Sequence, residues 1–182
     1  MSNIYLGLVH YPVINKFQEV VTTSITNLDI HDIARSCKTF GVKTFFVINP
    51  LETQRELLER VLKFWKSKIA VEYNPHRVEA LSLIKYVPNV EQVINIINKQ
   101  EEEYPLIITT SAVRRDPIVG FREILDLKKP RLLLFGTGNG LASIIHEKAH
   151  YILEPIKGTG EYNHLSVRSA VAVVLDRLTS EK

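Results

Sequence analysis

Short apolar runs alternate along the chain with longer stretches in which apolar residues recur every three or four positions. The runs Ile4–Val9, Thr44–Ile48, Leu106–Thr110, Leu132–Phe135 and Tyr151–Leu153 are apolar at successive positions, as parallel strands buried on both faces are. Between the first two, Ile30, Ile33, Ala34, Cys37 and Phe40 share one helical face. Asp29 is the expected N-cap of that helix, Asp32 falls in its first turn, and Gly41 stands where a helix-terminating glycine belongs. Leu58, Val61, Leu62 and Trp65 mark a second helix; Val90, Val93, Ile94 and Ile97 a third; Val167, Val171, Val174 and Leu178 a last one. This alternation predicts an α/β fold with a mainly parallel sheet flanked by helices. The section Lys68–Pro88 fits no single period and is interrupted by Asn74-Pro75 and Val87-Pro88, so it is read as irregular with short elements.

Composition narrows the class. With 182 residues, 45% hydrophobic and 24% charged, the chain suits a single domain over residues 1–182. No apolar run approaches the roughly 20 residues needed to span a bilayer, and the amino terminus lacks the basic and apolar regions of a signal peptide. A cytoplasmic protein without membrane contact is expected. The lone Cys37 forms neither an internal disulfide nor a structural zinc site, and is read as a small buried apolar residue. A net charge of +3 is too small to announce nucleic-acid binding. Arg114, Arg115, Lys128, Lys129 and Arg131 are a candidate phosphate-contacting patch, or else solvated surface.

The strongest local signal is the strand Leu132–Phe135 running into Gly136-Thr137-Gly138-Asn139-Gly140. Glycines at the end of a buried strand let backbone amides approach a ligand, commonly an anion or nucleotide. A dinucleotide site is one reading, with Glu154 near the place of a ribose-binding carboxylate. Against it, Leu141 occupies the third small position of that fingerprint, and too little chain follows for the rest of a dinucleotide-binding sheet. His146-Glu147-Lys148-Ala149-His150 matches a zinc-binding HExxH pattern, but the β-run at Tyr151 leaves little helix to carry it.

Three segments together resemble the ribose-methylating branch of the SPOUT class of RNA methyltransferases. Asp29 to Gly41, with Arg35 six positions after the acid, is similar to the first motif; Leu133 to Leu141 is similar to the second; Leu153 to Val171 is similar to the third. The chain as a whole resembles a small bacterial group of that class that lacks an appended RNA-binding domain. The resemblance implies S-adenosyl-L-methionine as cofactor, a C-terminal trefoil knot, and a homodimer with its active site at the subunit interface. The cofactor contacts it implies lie at Thr109 and Ser111; at Phe135, Gly136, Thr137 and Gly138; at Leu153, Pro155, Ile156 and Gly158; and at Leu165, Ser166 and Val167. Glycines 136, 138, 158 and 160 would open backbone groups to an adenine, with Ile156, Leu165 and Val167 as apolar walls.

By the same resemblance, Arg35 activates or orients the acceptor, and Asp29, Asp32 and Glu161 are its candidate acidic partners. His31, Asn163, His164 and Arg168 are candidate contacts to RNA, either tRNA or rRNA. Several have a structural alternative: capping for Asp29, Asp32 and Asn163, a surface ion pair for Arg35, ordinary hydrogen bonding for the histidines. This chain departs from the pattern. Gly138 lies near the place of a glutamate, the loop is one residue shorter, and Asp29 and Ser166 replace asparagines. The acceptor atom, ribose oxygen or base nitrogen, is therefore left open. The rivals are an NAD(P)-binding oxidoreductase and a non-catalytic RNA-binding protein that keeps the pocket. The low net charge suggests that an accessory protein helps to hold RNA.

Overall fold

A computed structural model describes residues 3–160 and 162–179. Its centre is a sheet of seven strands, all parallel: β1 (Ile4–Val9), β4 (Thr44–Ile48), β5 (Ile84–Val87), β6 (Leu106–Thr109), β7 (Ile118–Val119), β8 (Arg131–Gly136) and β9 (Tyr151–Leu153), in the order β5-β4-β1-β8-β6-β9-β7. The expected parallel α/β sheet is present. A separate antiparallel hairpin, β2 (Val13–Ile14) and β3 (Val20–Val21), stands beside it.

Alternation along the central strands divides the core in two. Ile4, Leu6 and Leu8 join Phe45, Val47, Leu133 and Phe135 against α1 (Asn27–Thr39), α6 (Phe121–Leu125) and α8 (Val167–Thr179). Tyr5, Val9, Phe46, Leu132 and Leu134 face α5 (Val90–Glu101) and α7 (Ser143–Glu147). The amphipathic helix expected around Ile30 buries Ile30, Ile33, Ala34 and Cys37, and Gly41 follows it with φ +70°. Its N-cap is not Asp29 but Thr26, whose hydroxyl accepts the Asp29 amide; Asp29 sits inside the first turn. The expected second helix is α2 (Glu52–Trp65), of which only Leu58 is buried. The irregular section resolves into α3 (Lys68–Tyr73), α4 (Pro75–Leu81) and the edge strand β5.

The order of strands at one side of the sheet constrains the C-terminal segment. Thr109 of β6 and Ile118 of β7 both lie opposite Ile152 of β9. Connection 110–117 therefore spans β9, and the segment after Leu153 leaves the sheet at the edge this connection crosses. Asn163 Nδ2 donates to the Ala112 carbonyl at 3.4 Å, so the two segments meet beyond the sheet. Among the described residues, no helix is long and apolar enough to cross a membrane.

Leu133 is wholly buried in the middle of the sheet. Leu133→Ala is expected to lower stability by about 3 kcal/mol in urea denaturation, and Leu28→Ala, on the exposed side of α1, by less than about 0.5 kcal/mol.

Candidate active site

The carboxyl edge of a parallel sheet gathers the chain exits of all its strands. Here it brings together segment 10–23 after β1, connection 110–117, the glycine loop after β8, and segment 154–166 before α8. The glycine loop is shaped by its neighbours. A Cβ on Gly136 would lie 2.6 Å from the Leu141 nitrogen, and one on Gly138, at φ +59°, would lie 3.0 Å from the Ile14 carbonyl. The hairpin is sewn to the loop: Asn139 N–H donates to the Ile14 carbonyl at 2.9 Å, Ile14 N–H to the Gly140 carbonyl at 2.9 Å, and Ala142 N–H to the Pro12 carbonyl at 3.2 Å. Thr137 N–H donates to Val9 and Gly140 N–H to Thr137. The amides of residues 137, 139 and 140 thus serve the fold and are not free to receive an anion.

Under this loop runs a partly buried polar chain. The Thr137 hydroxyl donates to the Val9 carbonyl at 3.1 Å and meets the Thr23 hydroxyl in a short bond; the Thr23 oxygen lies 3.0 Å from His10 Nδ1. With Thr137 donating to Val9, the Thr23 hydroxyl donates to Thr137, and His10 donates from Nδ1 to Thr23. That tautomer leaves Nε2 of His10 as an acceptor, and this atom is buried without a hydrogen-bond partner. Burial pushes the imidazole down to about 4, against a smaller opposing pull from the Asp29 carboxylate. Sequence reading did not single out His10 or Thr23. The available signal was the histidine directly after the apolar run Ile4–Val9, at the ligand-binding edge of a central strand.

Above His10, the first and third motifs are joined by one side chain. Arg168, at the start of α8, places Nη1 3.3 Å from Asp29 Oδ1 and Nε 3.6 Å from Asp32 Oδ2. The other Asp29 oxygen accepts the Thr26 hydroxyl at 2.6 Å. The Asp29 side chain is 11% exposed and that of Asp32 48%. Arg35 continues the same ridge of α1, exposed, with no hydrogen bond or ion pair among the described residues. His31 points elsewhere: it is buried against α4 and α2, bonded to Arg77 at 3.1 Å and edge-on to Trp65, and burial and Arg77 lower its pKa.

The remaining candidates divide by loop. Phe135, Leu153, Ile156 and Val167 belong to or pack on the first core, whereas Leu165 is exposed. The Ser166 hydroxyl accepts the Ser169 amide at 3.3 Å and so caps α8. The Ser111 hydroxyl accepts the Val113 amide, and Thr109 Oγ1 lies 2.9 Å from His146 Nδ1. Pro155 is half-buried, and Gly158 is exposed with Tyr162 close over it. His164 stacks edge-on with Tyr162. Glu161 lies outside the described residues.

Several expectations are displaced. Glu154 accepts the Phe121 amide at 3.2 Å at the start of α6, and so its carboxylate is occupied away from a dinucleotide ribose. In the HExxH segment, α7 ends at Glu147, His146 bonds Thr109, and His150 Nδ1 accepts the Ile107 amide at 3.0 Å. The basic cluster is split: Arg114 and Arg115 lie at the carboxyl edge, Lys128 and Lys129 at the amino edge, and Arg131 is buried with Nη1 donating to the Ile124 carbonyl.

The model of a SAM-dependent RNA methyltransferase family matches residues 3–180. The chain belongs to this family. A tRNA (guanine-N(1)-)-methyltransferase of Oleidesulfovibrio alaskensis is 44% identical over 98% of this chain and 42% of its own length. An uncharacterized protein of Aquifex aeolicus is 36% identical over 98% of this chain and 89% of its own. The chain thus spans under half the length of the first relative. Among solved structures, the A. aeolicus TrmH/SpoU tRNA modifying enzyme superposes with a TM-score of 0.61 at 18% identity, over all of this chain and 76% of that one. At that identity the likeness speaks for the SPOUT fold. S-adenosylmethionine is the family's cofactor.

His10 and His146 are both pushed down to about 4 by burial, whereas in the unfolded chain each titrates near 6.5. Their contribution to stability is complete above that value and is lost as pH falls from it toward 4, because only the unfolded state takes up the protons. Urea titrations at pH 7 and pH 4.5 are expected to show a smaller acid-induced loss in His10→Gln than in the wild type.

Proposed function

We propose that this chain methylates RNA, with tRNA as the substrate class, by direct transfer from S-adenosylmethionine in a homodimer. The observation that carries the reading is the meeting of Asp29 and Asp32 with Arg168 beside the loops at the carboxyl edge of the sheet, with Arg35 exposed further along the same helix. The curated relatives named tRNA (guanine-N(1)-)-methyltransferases support tRNA and make a guanine ring nitrogen the favoured acceptor.

The residues present suit the cofactor. Ile156 and Val167 offer apolar surface anchored on the core, and Leu165 is exposed above them. Loops 109–111, 135–138 and 153–158 would hold adenine and ribose through backbone groups. Connection 110–117 and the segment that leaves β9 beneath it would close around the cofactor as a trefoil knot. When bound, S-adenosylmethionine supplies an electrophilic methyl group on a sulfonium.

The protein's task is then alignment and proton removal. Asp29 has both oxygens engaged, by Arg168 and by Thr26, and serves as an anchor. Asp32 is half exposed with one long contact to Arg168, and it takes the acceptor's proton. Arg35 makes no hydrogen bond or ion pair among the described residues, and its exposed guanidinium holds the acceptor's carbonyl or phosphate oxygen. Arg168 holds the two carboxylates in place.

Calorimetric titration is expected to give about one S-adenosylmethionine per chain at micromolar affinity, with no heat from NAD(P). With unmodified tRNA as methyl acceptor, Arg35→Ala and Asp32→Asn are each expected to lower transfer by about 100-fold, while cofactor affinity stays at the wild-type value. Binding of NAD(P) in preference to S-adenosylmethionine would overturn the assignment.

A further inference from the structure

On the α5/α7 face of the carboxyl edge, away from Asp29 and Arg168, a cavity of about 680 Å³ opens between the β2–β3 hairpin, the amino end of α5 and α7. The proposed methyl transfer uses none of it. Ile14 and Ile145 give it apolar surface, and the ring of Tyr11, 42% exposed, stands at its rim. Two cations line it. Lys148 is tied to Glu91 at 2.6 Å. Arg115 makes no hydrogen bond or ion pair among the described residues, and its Nε is buried without a partner.

A guanidinium taken partly out of water without a counter-charge is costly, and it is the group best shaped to receive a phosphate. Its positive charge also reaches His146, where it adds to burial in disfavouring protonation. The cavity therefore lacks negative charge at Arg115 while offering an aromatic face at Tyr11. A phosphate and the base next to it meet both needs, because every base has a π-face that stacks on an exposed ring. Arg115 belongs to the same connection, 110–117, as Ser111, so an RNA strand seated here runs on toward the loops of the proposed cofactor site.

We propose that this cavity binds a phosphate and an unstacked base of the RNA substrate, at a nucleotide other than the one methylated. The proposal rests on the RNA methyltransferase reading.

The test is fluorescence anisotropy of labelled unfractionated tRNA with the full chain across a salt series, beside calorimetry with S-adenosylmethionine. Arg115→Gln is expected to weaken tRNA binding about tenfold and to lower the slope of log affinity against log salt by about one, whereas Arg115→Lys keeps most of that slope. Tyr11→Ala is expected to weaken binding about fivefold with the slope unchanged. Every variant is expected to keep wild-type cofactor affinity and melting temperature. Wild-type affinity and slope in Arg115→Gln would overturn the cavity proposal and leave the methyltransferase reading intact. Loss of cofactor affinity in that variant would also overturn it, by placing Arg115 in the cofactor pocket. A wild-type protein that neither binds nor methylates tRNA would remove the tRNA reading and this proposal with it.

Discussion

The parallel pairing of β1 with β8 is the interaction on which the rest depends. It joins residues 4–9 to residues 131–136 in register, from Ile4 opposite Arg131 to Val9 opposite Gly136, and both strands are buried on both faces. A parallel pair sends both chains out at the same edge. That is why His10 and Thr137, far apart in sequence, come to share the Thr23 hydroxyl, and why the β2–β3 hairpin folds back over the glycine loop. A slip of one residue would exchange Leu134 with Phe135 between the two cores and take the Val9 carbonyl from Thr137. The hydrophobic register thus fixes the polar wiring.

The polar groups at this edge do different work according to their exposure. Arg168 is 37% exposed and Asp32 more so, and ion pairs so close to water add little stability. The value of Arg168 is positional: it holds the amino end of the last helix against the first, so that residues from opposite ends of the chain form one surface. His10 is the reverse case. It is fully buried, and its environment keeps it neutral and holds one ring nitrogen in a fixed direction. An exposed pair that orients and a buried imidazole that does not move together make a rigid base under the motif residues.

The strands legible in the sequence were those buried on both faces. β1, β4 and β9 fall at the expected residues, because an unbroken apolar run bounded by polar positions has few other places to go. β2, β3 and β7 are two residues each, too short to show a period, and β5 is a half-buried edge strand. The N-cap was misplaced by three residues because Asp29 and Thr26 are both capping types, and only the backbone shows which one stands outside the helix. Site chemistry was harder to read. Sequence proximity grouped Arg131 with Lys128 and Lys129, yet the start of β8 takes Arg131 inside. His31 lies beside Asp32 in the chain but on a different face of the helix, toward Trp65. Asp29, Asp32 and Arg168 were each singled out in the sequence, but their joining is a tertiary fact.

The glycine loop separates the two cofactor classes that the sequence allowed. A dinucleotide carries a diphosphate, which a turn binds through free amides at its crest. Here the amides of 137, 139 and 140 already donate within the chain, and the carboxylate that would have taken the ribose caps α6. S-adenosylmethionine has no diphosphate, and its reacting centre is a cation. A loop with these three amides engaged is no handicap to such a ligand, and it spares the sulfonium the repulsion of an anion-binding nest. The glycines are therefore explained by close approach, of Gly136 to Leu141 and of Gly138 to the hairpin. The same residue type that suggests a phosphate loop in sequence serves here to let two backbones touch.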